Sequence, residues 1–347
     1  MKIIAEAGVN HNGSLETAKK MVDAAVKAGA DYIKFQTFHA HSLVTALCEA
    51  ADYQKENAGA TSQETMLKNL ELNYDDFKIL KAYCDEKGIG FLSTAFDEDS
   101  IDFIASLKPD YMKVPSGEIT NLPFLRKMAS TGIPVIISTG MSTPEEIAKA
   151  LNPFRKAGYG PQDIILLHCT TQYPTPMEDV NLKAMQTVSG NFGHPGGYSD
   201  HTLGIEVPIA AATLGAVVVE KHFTLDRNME GPDHKASLEP DELSDMVKAI
   251  RNITVALGHG VKEVKESERP NIMAARRSIV AARPIKQGQV ISEEDLTTKR
   301  PANGLSPMLW DKVVGSVAIK DFEPDELIEI EEGGWKLKMP SLGFSWK

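Results

Sequence analysis

The sequence is short of several things. Cysteine occurs three times in 347 residues, as Cys48, Cys84 and Cys169. An odd count with no repeating spacing excludes a disulfide-stapled scaffold and points to reduced thiols. No apolar run approaches the roughly 20 residues that a membrane-spanning helix needs. The opening Met-Lys-Ile-Ile-Ala-Glu lacks the layout of a signal peptide, so the expected location is cytoplasmic. Positive charge is scarce as well: 37 Lys and Arg against 48 Asp and Glu give a net charge of −11. A nucleic-acid partner would call for a basic face, so that class loses ground. A small anionic ligand does not, because a cleft needs only a few well-placed cations.

What is present is an alternation. Short β-branched runs, at 3–7, 32–36, 90–94, 111–114, 135–138 and 164–168, are separated by longer amphipathic segments such as 15–27 and 143–156. The stretch leading to Ser199 and the run 216–220 complete eight strands, and a helical pattern over 239–257 closes the series. Ser14 and the run Ser142-Thr143-Pro144-Glu145-Glu146 carry helix-start signals. Strands buried on both faces and alternating with helices make a parallel sheet. Eight such units predict a closed (β/α)8 barrel, the TIM-barrel fold, over residues 1–258. The structural alternative is an open doubly-wound sheet, but no Gly-x-Gly-x-x-Gly follows the first strand. Residues 259–277 are charged and poor in large apolar side chains, as a linker would be. A second apolar pattern with turns at Gly288 and Gly304 predicts a small β-rich domain over 278–335, followed by a tail at 336–347. A unit that small has a thin core and would lean on a partner surface.

In such a barrel, chemistry sits where strands end. The predicted strand ends carry Glu6, Lys34, Gln36, Thr94, Lys113, Ser116, Glu118, Ser138, Tyr173, Ser199, His201 and His222. Taken singly, each is an ordinary strand-end polar residue. Together, two lysines and several hydroxyls on one rim suit a phosphate and a carboxylate. His201 and His222 end adjacent strands, so they are either hydrogen-bonded histidines or two ligands of one divalent cation, with Asp200 and Glu220 as orienting or ligating neighbours. His11 and His168 have weaker claims, and His39, His41, His194, His234 and His259 are expected at the surface.

The ordered motifs also resemble a known family. Ala-Glu-Ala-Gly-Val-Asn-His-Asn-Gly-Ser, Ile-Lys-Phe-Gln-Thr, Phe-Leu-Ser-Thr-Ala-Phe, Lys-Val-Pro-Ser-Gly-Glu, Ile-Ser-Thr-Gly-Met, Tyr-Pro-Thr-Pro, Tyr-Ser-Asp-His-Thr, Glu-Lys-His-Phe-Thr and Gly-Pro-Asp-His are similar to those of the sialic acid (N-acetylneuraminate) synthases. Lys299-Arg300-Pro301-Ala302-Asn303-Gly304 resembles the C-terminal antifreeze-like (SAF) domain of those enzymes. The resemblance implies a transferase that condenses phosphoenolpyruvate with N-acetylmannosamine and water, releasing phosphate. An alternative within the family is a legionaminate-type synthase using a 2,4-diacetamido-2,4,6-trideoxy-mannose. It implies His201 and His222 as ligands of a divalent metal, Mn2+ foremost, with Mg2+ or Co2+ as alternatives. Lys34, Thr94, Lys113, Ser116, Ser138 and Ser199 fall on phosphoenolpyruvate-binding positions. Glu6, Glu118 and Lys113 fall near the reacting centre, and Gln36, Asn57, Tyr173 and Asp233 on sugar-contacting positions. Arg300 matches an arginine that enters the partner's barrel, which implies a domain-swapped homodimer. Ala302 stands where the family often has glycine, so a positive φ there would be strained. Other phosphoenolpyruvate-condensing barrels, metal-dependent barrel hydrolases and a carbohydrate- or ice-binding protein are the competing readings.

Overall fold

The computed structural model describes residues 1–43, 63–332 and 335–337, in two compact units, Met1–Gly258 and His259–Lys347. In the first unit the strands are β1 (Lys2–Gly8), β2 (Tyr32–Thr37), β3 (Gly90–Ala95), β4 (Met112–Val114), β5 (Val135–Ser138), β6 (Ile164–His168), β7 (Gly196–Asp200) and β8 (Val218–His222). They pair in sequence order, all parallel, and β8 returns to β1 to close the barrel. The expected α/β barrel is the one found. β8 begins and ends two residues later than the sequence pattern suggested, so Lys221 and His222 belong to the strand.

Helices form where the caps are. The Ser14 hydroxyl accepts the Thr17 N–H ahead of helix Leu15–Ala28, and Thr143 and Glu146 cap each other's backbone ahead of helix Pro144–Lys156. Their apolar faces (Met21, Val22 and Ala25 in the first) pack in one cluster with the outward side chains Ile3, Ile33, Phe35 and Val219. Inside the barrel a second cluster, including Ile4, Tyr32, Leu92, Ile136, Ile165 and Val218, plugs the lower half. At Gly197 a Cβ would lie 2.6 Å from the Leu167 side chain and 2.5 Å from the Val218 carbonyl oxygen, so only glycine lets these strands approach. One step of two residues along the same strands, the inward positions become Glu6, Lys34, Thr94, Ser138 and Glu220. The apolar plug therefore sets a floor, and polarity begins directly above it.

The second unit contains antiparallel β9 (Ser278–Ala281) and β10 (Leu296–Lys299), and a further antiparallel pair, β11 (Ile330–Glu332) and β12 (Trp335–Leu337). Its core includes Ile279, Ile285, Ile291, Val313, Phe322 and Ile328. The stretch read as a linker is not structureless: it holds the short helix Arg269–Ala275, none of whose residues is buried. Ala302 is absent from the non-glycine residues with positive φ, so the feared strain does not arise; its N–H donates to the Met273 carbonyl at 2.9 Å. No helix among the described residues is long and apolar enough to cross a membrane.

Candidate active site

Four charged side chains meet above the floor of the barrel. Lys34 Nζ lies 2.7 Å from Glu6 Oε2, donates to Thr94 Oγ1 at 3.1 Å, and stands 3.7 Å from Glu220 Oε1. Lys113 Nζ reaches the same Glu220 oxygen at 3.3 Å, and the Ser199 hydroxyl donates to it at 3.0 Å. All four side chains are essentially excluded from solvent. Burial alone would neutralise them, and the pairing decides which resist. Burial pushes the Glu6 carboxyl up to about 7, against the pull of Lys34. Burial acts the same way on Glu220, but Lys113 and Lys34 together outweigh it and hold that carboxyl at about 2. Lys34 is raised despite burial because both glutamates face it, whereas burial lowers Lys113 even with Glu220 beside it.

The imidazoles sit at the rim of this cluster. The rings of His201 and His222 are 5.4 Å apart, centroid to centroid, and Tyr173 lies against both, at 4.1 and 5.7 Å. The Thr170 carbonyl accepts the His201 Nδ1–H at 2.5 Å, which fixes the tautomer and leaves the Nε2 lone pair free. His222 Nδ1 is buried with no hydrogen-bond partner. Burial lowers His201 to about 4 and His222 well below the usual imidazole range, so both rings are neutral. Two neutral imidazoles, one held by a backbone carbonyl and one with an orphaned nitrogen, are the donor set that suits a borderline divalent cation. They would supply only part of its shell: among the described residues no cluster of three or more His, Cys, Asp or Glu is arranged as a ligand set. Gly8 sits beside the point on which Gln36, Glu6 and His222 side chains converge; a Cβ there would make only ordinary contacts at 3.4–3.5 Å, and it is the φ of +53° that favours glycine.

Residues 21–262 match the NeuB family, and residues 276–331 the SAF domain. The chain belongs to the NeuB family. N,N'-diacetyllegionaminic acid synthase of Campylobacter jejuni is 50% identical over 94% of this chain and 98% of its own length. The Legionella pneumophila protein of the same name is 49% identical over 90% of this chain and 89% of its own. The crystal structure of N-acetylneuraminic acid synthetase from Leptospira borgpetersenii aligns with a TM-score of 0.69, at 36% identity, over 78% of this chain and 89% of that one. This NeuB-family chain is accordingly an enzyme of the transferase type.

The NeuB-family barrel brings most of the expected residues to one cavity of about 580 Å3, lined by Glu6, Lys34, Gln36, Thr94, Lys113, Ser116, Ser138, Tyr173, Ser199, His201, His222 and Asp233. Burial pushes Asp233 up to about 6. Ser116 is held by the Gly140 N–H at 3.0 Å and faces Cys169 Sγ at 3.3 Å. Glu118 is not brought to this cavity. It ends the one-turn helix Ser116–Glu118, and its carboxylate accepts from Asn121 Nδ2 at 2.6 Å. Asn57 lies outside the described residues, and Arg300 is an exposed residue of the second unit. His11 is buried without lining the cavity, and His168 Nε2 bonds the Val180 carbonyl. His194 and His234, expected at the surface, are buried. His234 is enclosed by Thr224 Oγ1 at 2.7 Å and Asn12 Oδ1 at 3.2 Å. Two features escaped the sequence reading. Glu220, weighed only as a neighbour of His222, is the hub of the charge cluster; its i, i+2 spacing from His222 was the available signal. The other is an apolar wall of Val9, Met66, Leu67, Leu70 and Phe96 along one side of the cavity.

Proposed function

We propose that the chain is a legionaminate-type synthase, condensing phosphoenolpyruvate with a 2,4-diacetamido-2,4,6-trideoxy-mannose and water and releasing inorganic phosphate. This replaces N-acetylmannosamine, the first expectation, as the sugar. The observation that carries it is the near-50% identity, along almost the whole chain, to two diacetyllegionaminic acid synthases. The apolar wall supports the same reading. Relative to N-acetylmannosamine, the diacetamido sugar exchanges a hydroxyl for a second acetamido group and a hydroxymethyl for a methyl. Each buried methyl or methylene contributes about 0.8 kcal/mol against such a wall. A sugar 6-phosphate fits poorly, because Lys34 and Lys113 are the only Lys or Arg among the described lining residues and both are needed for phosphoenolpyruvate.

Lys34 and Lys113, with the hydroxyls of Thr94, Ser116, Ser138 and Ser199, would hold the phosphate and carboxylate of phosphoenolpyruvate. Gln36, Tyr173 and Asp233 border the side open to the sugar. His201 and His222 would hold the divalent cation, whose chemistry when bound is to polarise the sugar's open-chain aldehyde. Carbon 3 of phosphoenolpyruvate forms the new bond to the aldehyde carbon, and the aldehyde oxygen takes up a proton. Water adds to carbon 2, and the C–O bond to phosphate breaks, leaving a keto acid. Glu6, poised near neutrality, is the group placed to exchange these protons, while ionised Glu220 offsets positive charge at carbon 2 and on the lysines.

Phosphate release measured with phosphoenolpyruvate, Mn2+ and each sugar in turn tests the assignment. The highest kcat/KM is expected with the diacetamido-trideoxy sugar, and the 6-phosphate of N-acetylmannosamine should be the poorest. Phosphate release with N-acetylmannosamine alone would return the chain to the sialic acid branch.

A further inference from the structure

The middle residue of Glu220-Lys221-His222 takes no part in the chemistry above. Alternation along β8 turns Glu220 and His222 into the barrel and Lys221 outward, with Val219 and Phe223 of the layer between strands and helices. There Lys221 is fully buried, 2.5 Å from Asp200 Oδ2 and bonded to the Thr202 carbonyl. Asp200 is equally buried and is the register partner of Lys221 across the β7–β8 pair. It accepts the Thr202 N–H at 3.2 Å and the Thr202 hydroxyl at 2.9 Å. His201 is enclosed between Asp200 and Thr202, and His222 directly follows Lys221. One ion pair outside the barrel thus ties together both segments that present imidazoles inside it.

Stability alone gives little reason to keep such a pair, since apolar side chains of similar volume commonly serve as well in a core. What the charges and their hydrogen bonds add is direction. We infer that Lys221, Asp200 and Thr202 form a positioning network that sets the spacing and orientation of His201 and His222 for a shared divalent cation. The inference rests on the reading that these two histidines hold that cation.

The test is Mn2+ titration of the metal-free full-length chain, with free Mn2+ followed by electron paramagnetic resonance and thermal unfolding recorded in parallel. Lys221→Met/Asp200→Leu replaces the ion pair with apolar volume; Thr202→Val removes one hydroxyl and leaves the pair. The double variant should keep a cooperative thermal transition and bind Mn2+ about 10–100-fold more weakly, with Thr202→Val shifted the same way by less. Wild-type Mn2+ affinity in a variant that still unfolds cooperatively overturns the positioning role. If the double variant loses its transition, Thr202→Val decides by the same criterion. If the wild-type chain itself takes up no Mn2+, the metal reading fails and this inference falls with it; if it does and the variants match it, the inference alone fails.

Discussion

Glu220 carries more of the site than any other side chain, because one of its oxygens faces Lys113, Lys34 and the Ser199 hydroxyl at once. Two lysines cannot both stay charged in a dry barrel without such a counterion, and Lys113 is already lowered by burial. Glu220→Gln removes the charge at constant shape. Lys113 should then give up its proton more readily, and KM for phosphoenolpyruvate should rise by about 100-fold or more, in line with the roughly 3–5 kcal/mol that follows loss of one partner of a buried pair. An unchanged KM would mean that Glu220 does not hold the lysines in their binding state. At this scale the sequence disclosed residue types but not their partners. Lys34, Lys113, His201 and His222 stood out as strand-end polar residues. That the lysines arrive already paired with Glu6 and Glu220 depends on which inward positions share a level of the barrel, and that is a matter of register.

Elements were legible in proportion to their periodicity. Capped amphipathic helices came out within a residue, because cap chemistry and a one-sided apolar stripe are both written locally. β8 was placed two residues early, since a run buried on both faces shows no alternation to mark its end. Helix Arg269–Ala275 is hard to read for the opposite reason: none of its residues is fully buried, so its apolar stripe is weak. The turn after β4 hid the fate of Glu118, as the direction of a side chain in a single tight turn is set by dihedrals rather than pattern. In the second unit, the turn before β10 depends on Asp295, which accepts the Ser292 N–H and hydroxyl at 2.8 Å and Arg283 Nε at 2.6 Å. The Ser292 backbone bond, then Arg283, hold its carboxyl at about 2, below the ordinary 3.8. A depressed pKa contributes stability that is complete above the unfolded value and is lost as pH falls through the folded one. Asp295→Asn should therefore destabilise this unit by about 1–3 kcal/mol near neutral pH, and flatten the loss of stability between pH 4 and 2. All three tryptophans lie at or beyond residue 310, so their fluorescence in denaturant titrations reports on this unit; equal stability at pH 7 would contradict the role.

At the scale of the whole molecule, Arg300 is an expected site residue that lies outside the barrel, in the second unit. The homodimer implied by the family resemblance makes a distinct forecast. Chains carrying Arg300→Ala and chains carrying Lys113→Ala should each be nearly inactive, and mixing them after dissociation should restore activity. In a swapped heterodimer one site combines an intact barrel with an intact arginine; no recovery on mixing would place Arg300 in its own chain's site or in none. A net charge of −11 coexists with two buried lysines lining one cavity, so the bulk balance does not decide the local charge.

The identity of the sugar is open to test by internal competition. The enzyme is given limiting phosphoenolpyruvate and an equimolar mixture of the diacetamido-trideoxy sugar, N-acetylmannosamine and its 6-phosphate, and the keto acids formed are resolved by mass. The ratio of products is the ratio of kcat/KM values, free of differences in concentration or enzyme activity. The diacetamido product should dominate by at least about tenfold, the discrimination expected from two or three buried apolar groups. A majority of the N-acetylmannosamine product would contradict it.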